Sequence, residues 1–119
     1  MRLPLLTEIR NREHFTEILQ RNPGQIVIKF GADWCGPCKK IEPLVHDWIE
    51  RMPETVQSII IDIDESFEIY SFLRTKKMVS GIPAILCYNR GNVSYIPDDS
   101  ITGADVQAVN AFFQRRLRS

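Results

Sequence analysis

The stretch Gln25-Ile26-Val27-Ile28-Lys29-Phe30-Gly31-Ala32-Asp33-Trp34-Cys35-Gly36-Pro37-Cys38-Lys39 passes from a short apolar run into two cysteines separated by two residues. Gln25 to Phe30 is β-branched and almost wholly apolar, which predicts a central strand covered on both faces. Lys29 is the exception. From Cys35 onward, Cys38, Ile41, Val45, Trp48, Ile49 and Met52 recur at three- and four-residue spacing, one stripe of a long helix. Pro43 falls inside that helix and should kink it, because it lacks an N–H and crowds the carbonyl four residues back. The cysteines therefore stand where a strand ends and a helix begins. A thiol there lies beside unpaired backbone N–H groups and the positive end of the helix dipole, which stabilise a thiolate. Cys35 has that position. Cys38, one turn in, is close enough to bond to it and more enclosed, while Gly36 and Pro37 limit the backbone freedom between them. This permits a two-step exchange in which Cys35 attacks a partner's disulfide and Cys38 then attacks the mixed disulfide.

Working outward, Asn11 to Gln20 predicts a helix, with Asn11 as its N-cap, Phe15, Ile18 and Leu19 inward, and Asn22-Pro23-Gly24 as its stop. Val56 to Ile63 is a second buried strand, and Glu65 to Leu73 a helix with Ile69, Tyr70, Phe72 and Leu73 on its inner side. Gly81-Ile82-Pro83 leads into a strand from Ala84 to Tyr88. Asn89-Arg90-Gly91-Asn92 has the composition of a hairpin turn into a strand from Val93 to Ile96. Thr102, with Asp105 three residues on, opens a last helix whose apolar positions are Val106, Val109, Phe113 and Leu117. The order α-β-α-β-α-β-β-α implies an α/β fold: a central mixed sheet, parallel strands closed by a C-terminal antiparallel hairpin, with helices on both faces. No repeat, low-complexity tract or linker divides the chain, so residues 1–119 read as one domain.

The 119 residues suffice for a core that needs neither disulfides nor metals to stay folded, so the three cysteines call for chemistry or packing. Fifteen Lys plus Arg balance fifteen Asp plus Glu, which leaves no net field to draw in nucleic acid or an anionic membrane. The longest apolar stretch, Ile82 to Tyr88, is far short of the ~18 residues of a membrane helix. Leu3-Pro4-Leu5-Leu6 is too short for a secretory signal. A soluble, cytoplasmic protein is expected, and in reducing surroundings a CxxC pair points to redox or metal chemistry rather than to a structural bridge.

Trp34-Cys35-Gly36-Pro37-Cys38-Lys39, with Pro43 five residues after Cys38 and Gly81-Ile82-Pro83 entering a later strand, resembles the thioredoxin family. The resemblance covers roughly Phe15 to Phe113. It implies a thioredoxin fold and a thiol-disulfide oxidoreductase that reduces protein disulfides. Its only redox group would be the reversible Cys35–Cys38 pair, with no other cofactor and no metal. Cys35 would be the attacking and Cys38 the resolving cysteine, and Pro83 the family's cis-proline, with the backbone of Ile82 pairing with an extended substrate segment. Trp34, Gly36, Pro37, Gly81, Ile82 and Ile63 would form a flat apolar surface for protein substrates. Such a protein would work as a monomer, recharged by an upstream dithiol reductase, without nucleic acid or membrane.

The chain departs from the family's pattern at Lys29, where the family has a buried Asp; the usual Lys partner of that Asp falls at Ile60. Lys29 shares its strand face with Val27 and Gly31, a face expected to lie under the disulfide. A cation there must find a carboxylate, with Asp62 or Asp64 expected, reach water along its stem, or release its proton. If it stays charged near Cys38 it would modulate the pair by stabilising thiolates, making the disulfide more oxidising; loss of the family's carboxylate would also slow release of the mixed disulfide. Ile28-Lys29-Phe30-Gly31-x-x-Trp34 also resembles a spliceosomal branch of the same fold, which carries a basic residue at this strand position and lacks the cysteine pair, so the alternative reading is a non-catalytic thioredoxin-fold interaction module. A zinc site needs a second ligand pair, which the sequence does not offer: Cys87 stands alone in a strand and reads as a buried small hydrophobe, and His14 and His46 fall on separate helices. Asp62 and Asp64 read as strand-end residues capping the following helix.

Overall fold

The computed structural model describes residues 3–118. Four helices and four strands alternate in the expected order: α1 (Arg12–Gln20), β1 (Gln25–Gly31), α2 (Gly36–Arg51), β2 (Val56–Asp62), α3 (Phe67–Thr75), β3 (Ala84–Asn89), β4 (Asp99–Thr102) and α4 (Val106–Leu117). The sheet order is β2-β1-β3-β4. β1 and β2 are parallel, β1 and β3 antiparallel, and β3 and β4 antiparallel. This is the mixed sheet expected. β1 is paired on both edges and covered by helices on both faces, so its seven residues are all buried.

Side-chain alternation along β1 divides the core in two. Ile26, Ile28 and Phe30 pack with Phe15, Ile18 and Leu19 of α1 and Ile69, Tyr70 and Leu73 of α3. Val27, on the opposite face, packs with Ile41, Val45 and Trp48 of α2 and Val109, Phe112 and Phe113 of α4. Trp48 stacks on Phe113 with ring centroids 5.7 Å apart, and its Nε1 donates to Asn110 Oδ1 at 2.8 Å. Pro43 lies inside α2 with an exposed side chain, so the hydrogen bond it omits falls on the solvated side.

Two expectations fail after β3. Val93 to Ile96 is not a strand; the partner of β3 is Asp99–Thr102, in the register Ala84↔Thr102 to Cys87↔Asp99. The intervening chain closes on itself instead. Asn92 Oδ1 accepts from the Ser94 amide, Ser94 Oγ from the Ile96 amide, and Asn92 Nδ2 donates to the Ile96 carbonyl. Asn and Ser side chains thus take up backbone groups that a ladder would have used. The last helix is capped by Asp105 rather than Thr102: Asp105 Oδ1 accepts from the Gln107 amide at 2.9 Å. Thr102 is consumed as the last residue of β4, and Gly103, at φ 101°, turns the chain between strand and helix.

Candidate active site

The C-terminal edge of β1 gathers three segments. The first is the turn from Gly31 to Cys38. The second leaves β2, where the Ile63 amide donates to the Gly31 carbonyl at 2.9 Å. The third enters β3: pairing of Phe30 with Ala84 sets Pro83 level with Gly31. The Ile82–Pro83 bond is cis.

Cys35 is the N-cap of α2, with Pro37 in the first turn, where its missing N–H costs nothing. The Cys38 amide donates to Cys35 Sγ at 3.2 Å. One of the unpaired donors at the helix start thereby points at the sulfur, and the helix dipole adds to it. Cys35 and Cys38 are joined as a disulfide with Cα atoms 5.3 Å apart. Both are enclosed, Cys35 at 5% exposure and Cys38 at 2%. Trp34 beside them is 67% exposed, its Nε1 held by Asp64 Oδ2 at 2.8 Å. Gly36 and Pro37 are exposed, and Gly81 and Ile82 half-buried. Ile63 is 9% exposed and belongs to the core, so only an edge of it is available for contact.

Lys29 is 4% exposed, on the β1 face expected for it and paired in register with Ile60. The carboxylates assigned to it from the sequence do other work. Asp64 accepts from Trp34, and Asp62 Oδ1 accepts from the Asp64 amide at 2.8 Å. Neither forms an ion pair with Lys29 among the described residues. A cleft of about 80 Å³ is lined by Lys29, Gly31, Asp33, Cys38, Glu42 and Asp62. Burial lowers the Lys29 pKa, and the Glu42 carboxylate works against that shift. Glu42 was not singled out from the sequence, although its spacing of four from Cys38 on α2 puts both on one side of that helix.

Cys87 is fully buried and free, its Sγ 3.6 Å from Gln25 Oε1, and burial raises its pKa, as suits an inert thiol. Among the described residues, no group of three or more His, Cys, Asp or Glu could hold a metal ion, and no helix is long and apolar enough to cross a membrane.

A mixed sheet with helices on both faces, carrying a CxxC disulfide at the N-cap of α2 and a cis-proline across from it, defines a thioredoxin-fold protein. The thioredoxin family profile matches residues 6–114, so the chain belongs to the thioredoxin family. Thioredoxin from Ophiophagus hannah is 38% identical over 73 residues, 61% of this chain and 64% of that protein, so this chain covers a little under two thirds of it. Two solved structures are similar in fold. Plasmodium falciparum thioredoxin has a TM-score of 0.72 at 24% identity, covering 92% of this chain and 98% of that one. Mitochondrial thioredoxin 3 from Saccharomyces cerevisiae in its oxidised form has a TM-score of 0.71 at 25% identity, covering 92% and 94%.

Proposed function

We propose that the protein is a thiol-disulfide oxidoreductase that reduces disulfides in protein substrates. The observation that carries this reading is the Cys35 sulfur at the N-cap of α2, with the Cys38 amide aimed at it and Cys38 within bonding reach. Cys35, as thiolate, attacks one sulfur of the partner's disulfide; a mixed disulfide forms and the partner's other sulfur leaves as a thiolate that takes up a proton. Cys38, as thiolate, then attacks Cys35 Sγ, the bond from Cys35 to the partner breaks, and the partner's second sulfur leaves and is protonated. Two electrons pass to the partner, which gains two thiols, and the Cys35–Cys38 disulfide remains. In this reading an upstream dithiol reductase returns the pair to its dithiol form, and the protein acts as a monomer in a cytoplasmic electron-transfer chain.

Trp34, Gly36, Pro37, Gly81 and Ile82 form the substrate surface in this reading, with the backbone beside Pro83 pairing with an extended segment and Ile63 adding only an edge. The exposure of Trp34 supports the assignment. The test is dithiol-dependent reduction of a model protein disulfide such as insulin. The parent should be active and Cys35→Ser should fall to the uncatalysed rate, whereas Cys38→Ser should accumulate mixed disulfides with substrate. A folded but inactive parent refutes the reading; trapping by Cys35→Ser instead of Cys38→Ser reverses the two roles.

A further inference from the structure

Lys29 is a buried cation without an ion pair among the described residues, at the floor of the site. A methyl group placed on Gly31 would stand 3.4 Å from Cys38 Sγ and 3.8 Å from Lys29 Cε, so the resolving sulfur and the end of the lysine stem both reach the space above a glycine that has no side chain to separate them. Both also line the cleft that Glu42 borders from α2, Asp62 from β2 and Asp33 from the turn after β1. Lys29 and Cys38 are the buried members of this lining, whereas Asp33 and Glu42 are exposed and Asp62 half-buried, so its acids lie towards the rim.

We propose that Lys29 is a positioning residue for the redox pair: its ammonium holds Cys38 as a thiolate in the dithiol form and so sets how oxidising the disulfide is. The inference rests on the oxidoreductase reading and names what tunes that site. When the disulfide accepts two electrons, the Cys35–Cys38 bond breaks and two thiolate sulfurs result. Cys35 keeps its charge against the N-terminal amides of α2, and Cys38 would have to capture a proton from water were there no cation beside it. With the Lys29 ammonium in place, Cys38 Sγ remains a thiolate, and the reduced form is stabilised relative to the disulfide. The same charge prepares the resolving step, because a thiolate already formed needs no base to deprotonate it. The slow release expected from the missing carboxylate does not then follow. Glu42 has the opposite role: its carboxylate keeps Lys29 protonated despite burial, the direction in which it acts on the Lys29 pKa.

The experiment compares the full-length parent with Lys29→Met and Lys29→Arg, by equilibration against a glutathione buffer over a range of pH. Carbon-13 NMR of labelled cysteine follows Cys38 in the reduced proteins. Lys29→Met should raise the Cys38 thiol pKa by about one unit. From about half a unit above the parent's thiol pKa it should shift the equilibrium at least threefold towards the protein disulfide, making the protein more reducing. The two proteins should converge at acid pH, where Cys38 is a thiol in both. Lys29→Arg should keep the parent's Cys38 pKa. An unchanged equilibrium and an unchanged Cys38 pKa in Lys29→Met overturn the proposal, leaving the lysine as packing. A shift of equal size at every pH, or one shared by Lys29→Arg, overturns it as well, because packing and not charge would then be responsible. The NMR titration needs no substrate, so it stands or falls separately from the disulfide-reduction assay.

Discussion

Lys77 carries a backbone conformation that lysine rarely adopts, φ 65°, just past the end of α3. The Met78 amide donates to the Leu73 carbonyl at 2.8 Å and the Lys77 amide to the Arg74 carbonyl at 2.9 Å. This pair of bonds is the Schellman closure, in which the left-handed residue is most often glycine. Left-handed geometry costs a residue with a Cβ about 1 kcal/mol, and glycine returns part of that by being freer in the unfolded chain. Lys77→Gly should therefore raise stability by about 0.5 kcal/mol, read as a higher urea midpoint with an unchanged slope. At this scale the sequence is most informative where the chemistry is local. The Cys35–Cys38 spacing and the face of Lys29 follow from position along one helix and one strand. The carboxylate that acts on Lys29 does not: Glu42 lines the same cleft from α2 without forming an ion pair, whereas Asp62 at the end of β2 and Asp64 just after it are claimed by local bonds to the Asp64 amide and the Trp34 indole.

Between elements, β4 and α4 are joined through charge. Asp99 accepts from Arg115 Nε and Arg116 Nη2, both at 2.7 Å, and Arg116 is 5% exposed. Burial opposes the Asp99 charge, but the Arg115 hydrogen bond and the two guanidinium charges outweigh it and hold the carboxyl below its ordinary pKa of 3.8. A carboxyl so depressed contributes stability that is fully present above pH ~4 and is lost as pH falls through its folded pKa. Asp99→Asn would leave Arg116 buried and uncompensated. A loss of about 2 kcal/mol is expected at neutral pH, below the range for fully buried pairs because the Asp99 side chain keeps 22% exposure. The difference between variant and parent should shrink as pH falls through the folded pKa of Asp99, which denaturation at neutral and at strongly acid pH would establish. The sequence could not place this tie, because it depended on where β4 lies. Val93 to Ile96 has the better strand composition, yet Asn92 and Ser94 turn the chain locally, and the ladder forms from Asp99–Thr102, a segment of poorer β-propensity. Arg115 and Arg116, basic residues in the last turn of α4, complement the helix end, and with β4 in position they also anchor that edge strand.

For the whole molecule, fold stability and redox state are linked through Lys29. Burial lowers its pKa, so the folded protein binds that proton less well than the unfolded chain does. The cost of the charge is fully present below the folded pKa and fades as pH rises towards the ordinary 10.5. In the oxidised protein Lys29→Met should therefore raise stability at neutral pH, by about 1 kcal/mol on the scale for replacing buried charge with apolar packing, and the gain should shrink as pH approaches 10.5. The reduced protein should behave differently, because there the ammonium faces the Cys38 thiolate and removing it forfeits that attraction. The four folded and unfolded, oxidised and reduced states close a cycle, and residue 29 has little influence on the cysteines of the unfolded chain. A threefold shift in the glutathione equilibrium must then reappear as a difference of about 0.6 kcal/mol between the stability gains of the two redox forms. Urea denaturation of the parent and Lys29→Met, each with and without a reductant, measures that difference directly. Equal gains in both forms would mean that the cation does not act on the thiolate, however large its effect on the fold.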